Sequence, residues 1–291
     1  MPSMGRVIVV GSLNVDRPWR VERHPAVGET VVGSMLAPVP GGKGLNQAVA
    51  ASRAGCHVAL VGAVGEDDDG AWLRGVAADD HIDLRYLTAH PDLPTGSALI
   101  VVDDLGANTV TVSAGANAAA AFPDVSLASG DVVCAQLEVP VEAVAAALLA
   151  AHDAGARSVL NPSPIGAGVA LVPSADVVVV NQHEAASLVG PGEPLRQAQQ
   201  IRTGDQVVVV TLEASGVVSS GPSGDHVVAG VHVHPVDTTG AGDCFLGVLA
   251  ASLADGLDLL TALERANLAA AISVTRAGTV SAMPSAAELL A

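Results

Sequence analysis

VVCAQLEVPVEAVAAALLAAHDAGARSVL, residues Val132 to Leu160, contains one full repeat of the pattern that sets the fold. Val132–Leu137 is a short, continuous apolar run, Glu142–Ala154 is an Ala- and Leu-rich segment long enough for a helix, and Ser158–Leu160 begins the next apolar run. Strands covered by helices on both faces read as unbroken apolar runs, because neither face meets water. The same alternation places strands at Val7–Val10, Val58–Val61, Val177–Val180 and Val207–Val210. Helices are expected at Leu45–Ala54, Trp72–Asp79, Glu184–Leu188, Asp243–Ala254 and Leu259–Ala277, with Gly55 and Gly190 stopping the first and third of these. Strands alternating with helices predict an α/β protein with a largely parallel central sheet. Two stretches, Arg17–Pro40 and Thr95–Ala114, carry more polar, alternating β patterns with a hairpin turn near Leu105–Asn108, and read as a small β-layer added to the main sheet.

At 291 residues the chain suits one sizeable core with a small appendage, and no second full domain is expected. Half the residues are hydrophobic, yet no apolar run reaches the length of a membrane span, and the start lacks the pattern of a secretory leader, so a cytoplasmic protein without a membrane partner is expected. Cys56, Cys134 and Cys244 are an odd number at unrelated spacings, which argues against a disulfide framework or a zinc site. A formal charge of −17 disfavours nucleic acid, whose phosphates must be neutralised by Lys and Arg. It does not exclude a phosphorylated small molecule, because backbone N–H groups and a divalent cation can hold such charge locally. Of 13 basic residues Lys43 is the single lysine, and it lies inside Gly41-Gly42-Lys43-Gly44. A compact ammonium kept there, in a chain that otherwise uses Arg, points to a position where a planar guanidinium would not fit.

The ends of the strands outline a site. Val10 leads into Gly11-Ser12-Leu13-Asn14-Val15-Asp16, Leu137 into Glu138, Leu160 into Asn161, Val180 into Asn181 and Val210 into Thr211. Ligands of open α/β sheets bind beyond the carboxyl ends of the strands. The strongest motif, Val236-Asp237-Thr238-Thr239-Gly240-Ala241-Gly242-Asp243, runs straight into an apolar helix. Its glycines let successive N–H groups turn toward one anion, and the helix dipole adds positive potential there. Asp243 then reads equally as a reactive carboxylate or as a capping residue of a glycine turn. Pro40-Gly41-Gly42-Lys43-Gly44-Leu45-Asn46-Gln47 is a second glycine turn into a helix, but it lacks the P-loop spacing, and no segment meets the dinucleotide fingerprint.

Taken in order, VVGSLNVD, PGGKGLNQAVAASRAG, GAVGEDDDG, TGSALIVV, SAGAN, QLEVP, NPSP, Asn181-Gln182-His183-Glu184 and DTTGAGD resemble the ribokinase (PfkB) family of carbohydrate kinases along essentially the whole chain. The resemblance implies a three-layer α/β/α sandwich with a mostly parallel central sheet, whose β-lid, from about 17–40 and 95–114, closes over the sugar and forms a homodimer contact. It implies ATP-dependent phosphorylation of a sugar hydroxyl, D-ribose to D-ribose 5-phosphate, with Asp243 as base and Gly240, Ala241 and Gly242 as the anion hole. Asn14, Asp16, Gly42, Lys43, Asn46 and Glu138, with Ala98, Ile100 and Val112 along the lid, match the sugar positions. Asn181, Thr211, Gly216, Gly242 and Asn267 match the ATP side. Asn181 and Glu184 match the pair that organises Mg2+ through water, and the carbonyls of Asp237, Thr239, Ser273, Arg276 and Gly278 match a K+ site.

Two departures stand out. Ser281 falls one position before the serine expected at the cation site, and Glu213 replaces a usual glycine in Thr211-Leu212-Glu213-Ala214-Ser215-Gly216. A carboxylate there would meet nucleotide phosphates of its own sign unless it points to solvent. The alternatives are a kinase of another sugar or of a nucleoside, against which five aromatic residues count because few rings are available for stacking, and a non-catalytic sugar-binding regulator. Trp19 is the ring expected nearest a ligand. His232 and His234, alternating on one strand, read as a solvated face rather than a metal pair, and Asp67, Asp68 and Asp69 as an acidic helix start.

Overall fold

The structure is a computed structural model that describes residues 5–290, so the residues 1–4 used above in judging the absence of a leader lie outside it. Its main sheet has nine strands: β1 (Val7–Val10), β5 (Val58–Gly65), β6 (Leu87–His90), β9 (Val132–Gln136), β10 (Arg157–Asn161), β11 (Val177–Asn181), β12 (Val207–Thr211), β13 (Gly216–Gly221) and β14 (Gly224–Ala229). The spatial order is β14-β13-β12-β11-β10-β9-β1-β5-β6. Seven strands run parallel, and the β13–β14 hairpin adds an antiparallel edge. Helices α1 (Lys43–Arg53), α2 (Asp68–Asp79), α3 (Val141–Ala154), α4 (Gln182–Val189), α5 (Pro194–Ile201), α6 (Ala241–Ala254) and α7 (Leu259–Ser273) complete the layers.

The unbroken apolar strands do what a doubly covered sheet requires. Successive side chains of β1 alternate, Val7 and Val9 joining the cluster under α1, α6 and α7, Ile8 and Val10 the one under α3, α4 and α5. Each such side chain, fully buried, contributes about 1.5–3 kcal/mol of transfer free energy. The order turns outward in both directions from β1 and β9, so the switch point of the sheet opens at their carboxyl ends.

A second sheet, of β2 (Asn14–Val21), β3 (Gly33–Met35), β4 (Val39–Gly41), β7 (Gly96–Val102) and β8 (Asn108–Ser113), stands over that opening. It begins at Asn14, three residues before the expected start, because β4 pairs back onto Asn14–Asp16. The expected hairpin turn is made by Asp103, whose Oδ1 accepts the N–H groups of Leu105 and Ala107, with Gly106 at φ 83°.

Four expectations need correction. The last helix ends at Ser273 rather than Ala277, because Val274 turns its carbonyl to accept the N–H groups of Val236 and Asp237. His232 and His234 lie in an irregular exposed segment and not on a strand. Trp19 faces away from Asp16, since three positions along a strand is an odd step. The strand after Asp131 ends at Gln136, one residue early. Asp67 does start a helix, its side chain accepting from Gly70 N at 2.8 Å.

Candidate active site

Asp243 is the third residue of α6, whose N-cap Gly240 has φ 74° and supplies no side-chain cap. The first N–H groups of any helix lack intrahelical acceptors. Here no capping side chain covers them, and a Cβ built at Gly242 would meet open space; Ala241 N donates to Thr238 O at 3.3 Å, while the Gly240 and Gly242 amides have no acceptor among the described residues and are open to an anion. The capping alternative for Asp243 is excluded by its partners. Its Oδ2 accepts from Asn46 Nδ2 and its Oδ1 from Gln47 Nε2, each at 2.9 Å, although the residue is buried.

This contact spans almost two hundred positions of sequence and depends on a close helix crossing. One turn beyond Asp243, Gly247 lies so near α1 that a Cβ there would stand 2.4 Å from the carbonyl oxygen of Gln47. Residues four apart share a helix face, so the glycine that admits α1 also aims Asp243 at it.

The start of α1 is held by the loop after β1. Gly42 has φ 89°, and a Cβ there would strike Asn14 N, Ser12 O and Leu13 Cα within 3 Å. Leu45 N donates to Ser12 O at 3.0 Å, and both Ser12 Oγ and Lys43 N donate to Glu138 Oε2. Glu138 follows β9 and Ser12 follows β1, so this hydrogen-bonded knot closes the switch point. Asn117, buried, orients Asn14: its Nδ2 donates to Asn14 Oδ1 at 2.9 Å, and its Oδ1 accepts from Leu13 N at 2.9 Å.

The pocket is acidic, with one ammonium. Burial, then Glu138, then Asp243, push the Asp16 carboxyl up to about 6. For Lys43, burial alone would favour loss of the proton, but Asp243, Glu138 and Glu184 outweigh it and hold the ammonium above its ordinary range. Asp16, Ala98 and Val112 form one cross-strand row of the second sheet, with Ile100 two residues further on the same face. The expected acceptor residues are thereby brought around one opening.

The residues expected on the ATP side spread along the carboxyl edge of the sheet. Asn181 and Glu184 form a capping box on α4, Asn181 Oδ1 accepting from Glu184 N and Glu184 Oε2 from Asn181 N, both at 2.9 Å. Thr211 ends β12, and Gly216, at φ 97°, opens β13. Asn267 Nδ2 donates to Ala229 O, joining α7 to β14. Glu213 is exposed, with φ 52°, a conformation that favours glycine. Asp237 links the two expected carbonyl segments, its Oδ1 accepting from Thr239 N and its Oδ2 from Gly278 N. Burial works against its charge, but these bonds hold the carboxyl below its ordinary range. Ser281 Oγ donates to Ala277 O. Among the described residues no group of three or more His, Cys, Asp or Glu side chains is arranged to hold a metal, and no helix is long and apolar enough to cross a membrane.

Sequence reasoning assigned no role to Ser12, Gln47, Asn117 or Gln136. All four lie inside the quoted motifs, and all are polar residues without the charge that marks a reactive group. Only their contacts single them out.

Residues 4–286 match the family model described as pfkB family carbohydrate kinase. The ribokinase of Bacillus subtilis is 34% identical over 98% of this chain and 98% of its own length. A bifunctional ribokinase/ribose-5-phosphate isomerase A of Fructilactobacillus sanfranciscensis is 33% identical over 99% of this chain, which spans 56% of that longer protein. The structure of Arabidopsis thaliana ribokinase complexed with ribose and ATP superposes with a TM-score of 0.87 at 28% identity, covering 98% of this chain and 97% of that one.

Proposed function

The chain belongs to the pfkB family of carbohydrate kinases, and from that premise we propose that it transfers the γ-phosphoryl group of ATP to the 5-hydroxyl of D-ribose. The observation that carries the reading is a buried carboxylate, Asp243, held by both oxygens beside an uncapped helix start, with the Gly42–Asn46 turn and Asp16 around the same opening. A relative solved with ribose and ATP supports the choice of both substrates.

Phosphoryl transfer requires little covalent chemistry from a protein. A hydroxyl must be placed in line with the phosphorus, relieved of its proton, and the charge on the phosphoryl oxygens must be met. In this reading Asn14, Asp16, Lys43, Asn46 and Glu138 hold the sugar hydroxyls, under Ala98, Ile100 and Val112. Asp243 takes the proton from the attacking hydroxyl. The amides of Gly240, Ala241 and Gly242 face the transferred group.

Asn181 and Glu184 would organise Mg2+. The fit is sound, since the capping box uses Glu184 Oε2 and leaves Oε1 without a hydrogen bond. A bound divalent ion supplies positive charge to the phosphates. The carbonyls of Asp237, Thr239, Ser273, Arg276 and Gly278 would hold K+. Asp237 keeps their two segments together, and the Arg276 guanidinium is drawn off by Glu288 rather than left to repel a cation. The second sheet is read as the lid and as the homodimer contact, which its exposed Trp19, Met35 and Leu99, on the face turned away from Asp16, support. Three free, buried cysteines suit a cytoplasmic enzyme.

The test is ADP release over pentoses, hexoses and nucleosides with Mg2+, in K+ and in Na+ at constant ionic strength. Ribose should give the highest kcat/KM, and K+ should raise it. Asp243→Asn should lower kcat by orders of magnitude while sugar affinity stays within a few fold. A better acceptor would replace ribose, equal rates in both salts would remove the K+ site, and an Asp243→Asn enzyme with wild-type kcat would remove the base.

A further inference from the structure

We infer that Gln47 is the positioning residue of Asp243, the near end of a fixed line of amides that runs from the central sheet to the reacting carboxylate. Gln47 is fully buried on α1, so it cannot touch a sugar. Its Nε2 donates to Asp243 Oδ1 at 2.9 Å. Its Oε1 accepts from Gln136 Nε2 at 2.5 Å and from Cys134 Sγ at 3.3 Å. Gln136 and Cys134 are buried residues of β9, the strand at the switch point.

An amide has one donating and one accepting end, and here both ends are specified. The carboxylate demands the nitrogen, which leaves the oxygen to accept from the Gln136 amine and the Cys134 thiol. Turning Gln47 over would set oxygen against carboxylate and amine against amine, so the side chain has a single orientation. Asn46 holds the other carboxylate oxygen, and the plane of Asp243 is thereby defined by two donors from α1. Lone pairs not taken by these donors remain for the incoming hydroxyl. Asn46 differs from Gln47 in having an Oδ1 without a protein partner, so its hydrogen-bonding capacity is not used up within the protein. Gln47 has no such free atom, so it acts on the reaction only through Asp243.

This role rests on the kinase reading, and it predicts a particular pattern in the kinetics. Gln47→Leu should lower kcat about ten- to a hundredfold, the worth of a hydrogen bond to a charged group, while the KM for ribose stays within about twofold. In an Asp243→Asn background the same substitution should change the residual turnover by less than about twofold, because residues acting through one group are non-additive. Gln136→Leu, which leaves the contact between α1 and α6 untouched, should lower kcat several-fold with KM for ribose unchanged. It carries the test if Gln47→Leu fails to fold. The measurements are single-turnover and steady-state phosphorylation of ribose at saturating ATP, with thermal unfolding of each variant alongside. Equal losses from Gln47→Leu in both backgrounds, a loss confined to KM, or a Gln136→Leu enzyme with wild-type kcat would overturn the role. A wild-type chain that releases no ADP with any sugar would instead overturn the kinase reading itself.

Discussion

Replacing Asp16 by Asn should stabilise the protein more at pH 8 than at pH 5, and it should remove a step in the pH dependence of catalysis. The Asp16 carboxylate lies against Gly41, where a Cβ would come within 2.2 Å of its Oδ2, and it shares the pocket with Glu138 and Asp243. Burial and then those two like charges raise it from its ordinary 3.8 to about 6. Below the unfolded value both states hold the proton, and Asp16 costs the fold nothing. As pH rises from there toward 6 the unfolded chain has lost the proton and the folded chain keeps it, so the unfolded state binds fewer protons and stability falls. Above about 6 the folded protein carries the whole penalty. About one pH unit separates pH 5 from the folded value, so the stabilisation by Asn should be ~1.4 kcal/mol larger at pH 8 than at pH 5, less what solvent at the half-buried site screens away. Urea unfolding of both proteins at the two pH values measures it. In the same window kcat/KM for ribose should fall toward tenfold per pH unit below 6 in the wild type, as the acceptor carboxylate is neutralised. The Asn variant should be lower throughout and lack that step. Equal stabilisation at pH 5 and pH 8, together with a wild-type profile flat across 6, would refute the reasoning.

Two further substitutions test other parts of the site. Lys43→Arg should not behave as a conservative change: the larger planar group enters a half-buried turn against Glu138, and a sugar displaced by ~1 Å loses about a hundredfold in kcat, whereas wild-type kcat and KM would make the lone lysine an accident of composition. Glu213→Gly should stabilise the chain by about 0.5–1 kcal/mol, because φ 52° is left-handed backbone, and should leave the KM for ATP within about twofold, because the carboxylate is exposed. Urea unfolding and steady-state kinetics check both halves, and a large gain in ATP affinity would mean that the carboxylate faces the phosphates after all.

The amino-acid sequence by itself determined the layers and the place of the site. Short runs of β-branched residues such as Val177–Val180 read as strands covered on both faces, and polar residues at the carboxyl ends of parallel strands face one edge. Signals of this kind are local, so they survive in a linear reading. Elements whose local signal is weak were legible only in three dimensions. The Ser- and Gly-rich β13 is a strand because β12 and β14 pair with it, and α5, which begins at Pro194, is a short helix stabilised by packing against β12 and β13. Asn181 and Glu184 could be matched as a pair from sequence, but their capping box appears only in the backbone at the end of β11. The state of Asp243 depended most on tertiary structure. Its neighbours in sequence are glycine and cysteine, and the same carboxylate at a helix start could have served as a cap. The crossing of α1 at Gly247, set by the absence of a single Cβ, brings Asn46 and Gln47 to its two oxygens and leaves the helix start to an anion. Contacts between residues so far apart in the chain arise only when the helices pack, because no local preference in either segment encodes the distance between them.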